Sequence, residues 1–221
     1  MLIQYGKVSA SIQEYTWNQP TLTSNGNWGT DEFAVKASAV YSTHYVYCAF
    51  DGNSSTHYCA SNTPNPIIYM YSKKALKISQ VKFTGYSSGT HQFTWNSAEL
   101  YGSNDENTWT LLGSNTSNGY SSTTSWYITS NKNAYYNYFK IQTNADFNGT
   151  AMNQIDITAT YRTQVANTII FPTSFSSTNY GCGVCPIATE NPIWYITQRT
   201  NTGMNFYQIG ATDLRYICMG Y

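Results

Sequence analysis

The sequence predicts an all-β protein, a sandwich or a barrel, because short stretches alternate between apolar and polar residues and polar turns separate them. In QIDITAT, Ile155, Ile157 and Ala159 fall on one face of a strand, and the polar residues between them fall on the other. YFKIQT and VKFT show the same alternation, whereas no stretch predicts a helix. Runs such as GSNDENT and SNTSNGYSS supply the turns.

The stretch ELYGSNDENTWTLL, residues 99–112, predicts a strand, a turn and a second strand. Its Asn and Asp side chains are suited to hydrogen-bond their own backbone two residues further on, which stabilises a turn. Leu100 and Trp109 then bring apolar side chains to the flanking strands. We interpret this hairpin as structural.

A domain boundary is predicted after the strand that ends near Tyr161, where TIIFPTSF opens a second and smaller unit. We therefore divide the chain into a lead-in of residues 1–15, a first β domain of residues 16–162 and a second β domain of residues 163–221. An isolated core of about 60 residues is marginally stable, so an oligomer would stabilise the second domain.

The composition excludes several classes of function. Charged residues make up 10% of the chain and the formal net charge is zero, which argues against electrostatic binding of nucleic acid or of an anionic membrane. Aromatic residues reach 16%, and Asn, Ser, Thr and Gln supply the polarity, as in recognition loops. No apolar run has the length of a signal peptide or of a membrane span, so we expect neither Sec export nor membrane insertion.

The five cysteines, at positions 48, 59, 182, 185 and 218, do not have the spacing of a disulfide framework. We expect most of them to be free, buried thiols, as in a protein that folds in a reducing compartment. The pair Cys182 and Cys185 suggests a zinc or redox site. No second pair and no neighbouring histidine completes four ligands, however, so we do not predict one.

The sequence favours a protein without catalytic activity. Its three histidines are His44, His57 and His91, and it holds neither a Gly-x-Ser-x-Gly nor a His-Glu-x-x-His motif. The acidic residues fall mostly in turns or at solvent-facing positions, although a glycosidase pair among them stays open.

Four motifs follow one another along the first domain: AFDGNSSTHY, YGSNDENTWTLLGS, YNYFKIQTNA and MNQIDITATY. In this order they resemble the discoidin, or coagulation factor 5/8 type C, family of galactose-binding-like jelly rolls. The upstream TWNQPTLTSNGNWGTDEFAVKAS resembles the lead-in of such domains in bacteriophage tail proteins. The resemblance implies a discoidin-like jelly-roll β-sandwich over residues 16–162.

The rest of the chain resembles the C-terminal domain of phage tail-fibre proteins, in TIIFPTSFSSTNYG, ITQRTNTGMNFY and the terminal LRYICMGY. Members of that family end in an aromatic residue, a few apolar residues and Gly-Tyr, and they cap trimeric fibres. The resemblance implies a homotrimer at the tail tip of a virion. If this domain carries the receptor site, we expect the contacts at Trp194, Tyr195, Arg199 and Tyr207.

The Asp-Gly turn of AFDGNSSTHY raises the question of a cation. Related galactose-binding-like domains often hold calcium beside this turn, and by that resemblance Asp51, Asn53 and Thr56 match ligand positions. The late strand of those families usually supplies a glutamate, whereas Gln154 stands here. An uncharged partner weakens binding. We therefore expect either a weak calcium site, in the range of about 10⁻⁴ to 10⁻³ M, or a metal-free turn, and no required cofactor.

Sugar-binding relatives often carry a Trp-His pair after the Asp-Gly turn and arginines in a later loop. Tyr58 and Cys59 stand where that pair is expected, and the later loop GYSSGTHQFTWN holds no arginine. A different site on the same loops stays open, because polar side chains and aromatic rings together suit sugars. Its candidate residues are His57, Tyr58, Tyr86, His91 and Trp95.

We therefore predict a receptor-binding tip of a phage tail fibre, which attaches the virion to a glycan of the bacterial surface without catalysis. One alternative is a structural trimerisation or connector piece without a receptor site of its own. Another is a carbohydrate-binding module of a larger glycan-active protein. Which of the two domains carries the receptor site stays open.

Overall fold

The computed structural model describes residues 2–9, 13–60, 65–88, 91–92, 95–116, 125–145, 151–162, 165–171, 173–187, 193–209 and 213–220. In these ranges the all-β prediction is confirmed: one 3-10 helix, Val46–Ala49, stands among strands. No helix in them has the length and apolarity needed to cross a membrane. The strands are β1 (Leu2–Ser9), β2 (Glu14–Trp17), β3 (Phe33–Ala37), β4 (Tyr58–Cys59), β5 (Ile67–Gly85), β6 (Ser87–Ser88), β7 (His91–Gln92), β8 (Trp95–Ser103), β9 (Thr110–Thr116), β10 (Ser125–Thr129), β11 (Tyr136–Ala145), β12 (Ala151–Arg162), β13 (Val165–Ile170), β14 (Gly181–Ile187), β15 (Ile193–Thr200), β16 (Gly203–Ile209) and β17 (Asp213–Gly220).

The chain divides into two compact units. The sandwich unit comprises Thr16–Tyr161, and the terminal unit comprises Met1–Tyr15 together with Arg162–Tyr221. The sequence suggested a lead-in over residues 1–15, whereas β1 pairs antiparallel with β17 along its whole length. The first strand of the chain therefore belongs to a sheet whose other strands come from the C-terminal end.

Strand β5 organises the sandwich unit, because its 19 residues serve two groups of strands. Its first part pairs with β3 and β11, and the hydrogen-bonded order continues from β11 to β8 and β9. We call β3, β5, β11, β8 and β9 the five-stranded sheet. The later part of β5 pairs with β12 and β10, and β12 also pairs with β4. The main hydrophobic core draws side chains from both groups.

Burial confirms the alternation that the sequence predicts. The inward positions of the three quoted stretches are all buried: Val81, Phe83, Phe139, Ile141, Ile155, Ile157 and Ala159. A fully buried side chain of the larger types contributes about 1.5 to 3 kcal/mol relative to exposure. A slip of one residue would turn all of them to solvent, so the alternation fixes the register of each strand.

The predicted β8–β9 hairpin forms, with Leu100 fully buried. Its turn is built around Asp105, whose carboxylate accepts the backbone N–H groups of Thr108 at 2.7 Å and Asn107 at 2.9 Å. The hydroxyl of Ser103 donates to the same carboxylate at 2.9 Å. These bonds stabilise the ionised form, and they lower the pKa of Asp105 from 3.8 to about 2.

Acid is expected to weaken this turn in a defined pH window. Because the folded pKa of Asp105 lies below the unfolded value, its contribution to stability is complete above about pH 4 and is lost as the pH falls toward 2. Urea unfolding of the wild type and of Asp105→Asn, repeated from neutral pH down to pH ~2.5, measures the difference. The two proteins should converge in stability as the pH falls. A constant difference across the window would contradict the assignment.

The terminal unit contains two three-stranded sheets, in the orders β1-β17-β14 and β13-β16-β15. Its described side chains form a mostly aromatic buried cluster: Ile169, Phe171, Phe175, Tyr180, Met204, Tyr216 and Cys218. The hydroxyl of Tyr180 donates to the carbonyl of Gly203 at 2.8 Å. Glycine is required at position 203, because a Cβ atom there would lie 2.1 Å from the carbonyl oxygen of Ile169.

Two of the five cysteines form a disulfide bond. Cys182 on β14 lies directly opposite Cys218 on β17, with the Cα atoms 4.2 Å apart. The expectation of free thiols is wrong for this pair, because the strand register, which sequence spacing does not reveal, brings the two residues together. It is confirmed for Cys48 and Cys59, which are buried thiols outside the disulfide, and burial raises the pKa of both thiols. The side chain of Cys185 lies outside the described part of the chain.

Candidate functional site

Four aromatic rings from the loops beside β4 stack in a row: Tyr41, His44, His57 and Tyr86. The ring of His57 lies between two others, with its centroid 4.1 Å from that of His44 and 3.8 Å from that of Tyr86. The planes of His57 and Tyr86 differ by 9°. The ring of Tyr41 continues the row 6.2 Å from His44, tilted by 8°. We call these four residues the ring stack.

Backbone hydrogen bonds hold the loops of the ring stack against the strands. The N–H of Cys59 on β4 donates to the carbonyl of His44 at 3.2 Å, and the N–H of Tyr41 donates to the carbonyl of Cys59 at 2.8 Å. The N–H of Tyr86 donates to the carbonyl of Ala151, the residue that β12 places opposite Cys59. Three loops that are distant in sequence therefore meet over the β4–β12 pair.

The ring stack is closed in its middle and keeps exposed surface at its ends. His57 is 8% exposed and both faces of its ring are covered, so it holds the stack together instead of presenting a ring face. Tyr41 is 43% exposed, and Tyr86 is half-buried. Their apolar ring faces and phenolic hydroxyls form the combination that saccharide sites use.

The Asp-Gly turn that precedes His57 is closed by its own hydrogen bonds. Asp51 accepts the backbone N–H of Asn53 at 2.9 Å and the hydroxyl of Thr56 at 2.6 Å. The carbonyl of Ser54 accepts the side-chain amide of Asn153 at 2.8 Å, which ties the turn to β12. The turn is therefore a fixed support for the loop that carries His57.

A cavity of about 330 Å³ lies beside this turn. Gly52, whose φ of +68° favours glycine, lines it together with Gln154, Gln19 and Asp156. The structure therefore places Gln154 next to the turn. Asp156 is paired with the ammonium group of Lys82 at 3.4 Å.

The oxygen atoms of the Asp-Gly turn bear on the question of a calcium ion. Calcium takes six to eight oxygen ligands, several of them usually carboxylates. Asp51 is the carboxylate of the turn, and the hydroxyl of Thr56 lies within hydrogen-bond distance of both Asp51 and the carbonyl of Asn53. No group of three or more His, Cys, Asp or Glu side chains suited to a metal occurs among the described residues. Because hydrogen bonds already close the turn, we propose that it holds no resident calcium ion.

We expect millimolar calcium to leave the thermal midpoint of chelator-treated protein unchanged, because the oxygen atoms of the turn already serve its own hydrogen bonds. Differential scanning calorimetry with and without calcium measures this. Thr56→Val, which removes one hydroxyl donor, should destabilise the protein by about 1 kcal/mol whether calcium is present or not. A rise of the midpoint with calcium that Asp51→Asn abolishes would show that the turn binds the ion after all.

Tyr58, predicted as a sugar contact, belongs to the core. Its ring is fully buried, and its hydroxyl donates to the carbonyl of Ala39 at 2.8 Å. Burial raises the pKa of its phenol well above the ordinary value. The prediction is wrong for this residue, because β4 packs its side chains into the interior.

The remaining candidates are only partly described. Five have side chains outside the described part of the chain: His91, Trp95, Trp194, Tyr195 and Tyr207. In the terminal unit the backbone pairs Tyr195 with Tyr207. The side chain of Arg199 is exposed, with its guanidinium carbon 5.9 Å from the centroid of the Tyr180 ring.

The sequence did not single out Tyr41 and His44 as sugar contacts. Both belong to YSTHY, a hydroxyl-rich run with aromatic ends that follows β3. Such a run has the composition of recognition loops, and that signal could have identified it. The backbone hydrogen bonds between this run and Cys59, which bring its rings to the ring stack, depend on the tertiary structure.

Solved structures share the fold of the sandwich unit. The family 32 carbohydrate-binding module of NanJ from C. perfringens, in complex with galactose, has 18% identity and a TM-score of 0.49 over 57% of this chain and 93% of that one. The module CBM32-5 from Clostridium perfringens, in complex with GalNAc-β-1,3-galactose, has 12% identity and a TM-score of 0.50. The match covers 57% of this chain and 94% of that one. The structure of ZmpB from Clostridium perfringens, with two CBM32 modules and a catalytic domain, has 15% identity and a TM-score of 0.50. The match covers 57% of this chain and 14% of that one.

Sequence comparison identifies the family. No curated protein sequence matches the chain. The sequence profile of the F5/8 type C domain matches residues 34–157, which include the Asp-Gly turn, the ring stack and all of the five-stranded sheet except Phe33. Because this range is more than half of the 221 residues, the chain belongs to the F5/8 type C domain family.

Proposed function

We propose that the ring stack binds a saccharide, and that the protein attaches to a glycan of a bacterial cell surface without catalysing a reaction. The observation that carries this proposal is the row of four rings on the loops beside β4. Membership of the F5/8 type C family and the carbohydrate-binding-module fold support it. The related module CBM32-5 was solved with a galactose-containing disaccharide, which supports a saccharide as the ligand class.

The geometry suggests how the ring stack would hold a sugar. His57 covers one face of the Tyr86 ring, so a C–H face of the sugar would lie against the other. Stacking already orders these side chains in the free protein, which reduces the conformational entropy lost on binding. Tyr41, at the exposed end of the row, offers a second ring and a hydroxyl.

Replacing Tyr86 tests this proposal. We expect Tyr86→Ala to weaken glycan binding at least tenfold, because an aromatic anchor of an interface typically contributes about 2 kcal/mol or more. Binding is measured on a glycan array and then by calorimetry with the best saccharide. Tyr127→Ala is the matched control, since this tyrosine is 42% exposed on β10 and lies outside the ring stack. Equal affinities of the two variants would contradict the proposal.

We further propose that the protein is the homotrimeric tip of a phage tail fibre and therefore part of a virion. In the terminal unit Ile3, Ile217 and Met219 are 45%, 48% and 49% exposed, and β1 places Ile3 opposite Met219. Exposed large apolar side chains on paired strands suit contact with another protein surface. Three linked weak sites would raise avidity by roughly 10² to 10⁴. Light scattering at micromolar concentration distinguishes a trimer from a monomer.

A carbohydrate-binding module of a larger glycan-active protein is the second candidate function. The likeness to the ZmpB structure, in which two such modules accompany a catalytic domain, favours it. A monomer that binds glycans would support this candidate over the fibre tip. A stable trimer that binds neither host cells nor glycans would instead support a structural connector.

A further inference from the structure

A single row of side chains crosses the outer face of the five-stranded sheet. The strand register pairs Lys36 on β3 with Tyr69 on β5, Tyr69 with Lys140 on β11, Lys140 with Tyr101 on β8, and Tyr101 with Leu111 on β9. Cations and aromatic rings therefore alternate across the sheet. Members of this row are half-buried or exposed, and none belongs to the ring stack.

Two tryptophans from the flanking loops complete this row. The ammonium of Lys36 lies 3.7 Å from the ring centroid of Trp28 and 5.4 Å from that of Tyr69. The ammonium of Lys140 lies 4.6 Å from the centroid of Tyr101 and 5.0 Å from that of Trp109. Each lysine thus sits between two rings, and Trp109, which the sequence assigned to a structural hairpin, is a half-buried part of this surface.

The charges of the two lysines are balanced differently. Lys36 forms an ion pair with the carboxylate of Glu106 at 3.3 Å, and the indole N–H of Trp28 donates to the same carboxylate at 3.0 Å. None of the ion pairs among the described residues includes Lys140. Within the described part of the chain, the faces of the two rings accompany its charge, and they attract a cation but leave room for an anion.

Hydrogen-bonding groups adjoin the row on the same face. Glu99 on β8 and Gln142 on β11 form the next cross-strand pair on this face, two residues from the pair of Tyr101 and Lys140. With Ser97, they line a polar cavity of about 270 Å³. The hydroxyl of Tyr101 donates to the Glu99 carboxylate at 2.5 Å, which joins the cavity to the row.

We propose that this face is a second saccharide site, which takes a pyranose with an acidic substituent, either a carboxylate or a sulfate. The acidic group pairs with the ammonium of Lys140, the C–H face of the ring packs on Trp109 and Tyr101, and hydroxyls reach Gln142 and the polar cavity. The carboxylate of Glu99 repels an acidic group at the other end and so sets the orientation. The site goes beyond the proposed function, because it shares no residue with the ring stack.

Matched polymers test the acidic preference. Affinity electrophoresis at physiological salt should show retardation by polygalacturonate and not by its fully methyl-esterified form, or by dextran sulfate and not by dextran. The first pair identifies a carboxylate and the second a sulfate, and either result supports the proposal. Retardation by no acidic polymer, or equal retardation by charged and neutral partners, would overturn it.

Matched variants test the residues. Lys140→Gln should weaken binding of the acidic polymer about tenfold or more, because one charge-assisted contact is lost. Lys82→Gln, which removes a lysine of the same unit that is already paired with Asp156, should leave it unchanged. Tyr86→Ala should still bind the acidic polymer, whereas it should no longer bind the glycan of the ring stack. Equal losses of acidic-polymer binding in the two lysine variants, or a loss of that binding in Tyr86→Ala, would overturn the second site. The thermal midpoint of each variant shows whether it is folded.

Discussion

Loss of the Cys182–Cys218 disulfide is expected to lower the free energy of unfolding of the terminal unit by about 4 kcal/mol. The bond closes a loop between residues 36 positions apart, and the chain entropy released to the unfolded state by opening such a loop has about this magnitude. Cys218 belongs to the buried cluster of this unit and Cys182 packs against it, so the bond joins strands at the core. Cys218 is fully buried, whereas Cys182 is half-buried.

Urea unfolding of the oxidised wild type and of the Cys182→Ser, Cys218→Ser double variant measures this difference. Reductant should lower the free energy of unfolding of the wild type toward that of the double variant. It should leave the double variant unchanged, so the variant controls for other effects of the reductant. Alkylation of the unfolded, unreduced protein followed by mass spectrometry counts the thiols. Labelling of all five cysteines would contradict the disulfide.

Tyr58→Ala is expected to destabilise the sandwich unit by about 3 to 5 kcal/mol, the range for truncation of a large buried aromatic side chain. The ring of Tyr58 is fully buried in the main core, so its removal leaves a cavity. Tyr58→Phe keeps the ring but leaves the carbonyl of Ala39 without its hydroxyl donor. That variant should lose about 1 to 3 kcal/mol.

Glycan affinity separates this core role from a binding role. Tyr58→Phe should bind the array-selected glycan as tightly as the wild type, because the hydroxyl points to Ala39 and not to solvent. Chemical unfolding and calorimetric binding on the same preparations give both quantities. A tenfold loss of affinity with unchanged stability would return Tyr58 to the binding site.

Local patterns predicted most of the sandwich unit. Alternation in QIDITAT and YFKIQT identified the buried faces of β12 and β11. Successive side chains of a strand point to opposite faces, so a strand with one buried face has an apolar residue at every second position. The turn at Asp105 was readable because its hydrogen bonds reach only two or three residues along the chain. The Asp-Gly turn was recognised for the same reason.

Features that depend on distant pairing were not predicted. The disulfide needs β14 and β17 in one register, and β1 joins β17 from the other end of the chain. Tyr58 was named as a sugar contact because it stands where sugar-binding relatives carry a Trp-His pair, whereas β4 packs it inward. The ring stack joins loops that only β4 and β12 bring together, so sequence named His57 and Tyr86 but not Tyr41.

A crystal structure with the array-selected saccharide bound tests the central claim most directly. We predict that a pyranose ring packs against the outer face of Tyr86, at the end of the row formed by His57, His44 and Tyr41. A saccharide bound elsewhere on the protein, with the ring stack unoccupied at saturating concentration, would contradict the assignment of this site.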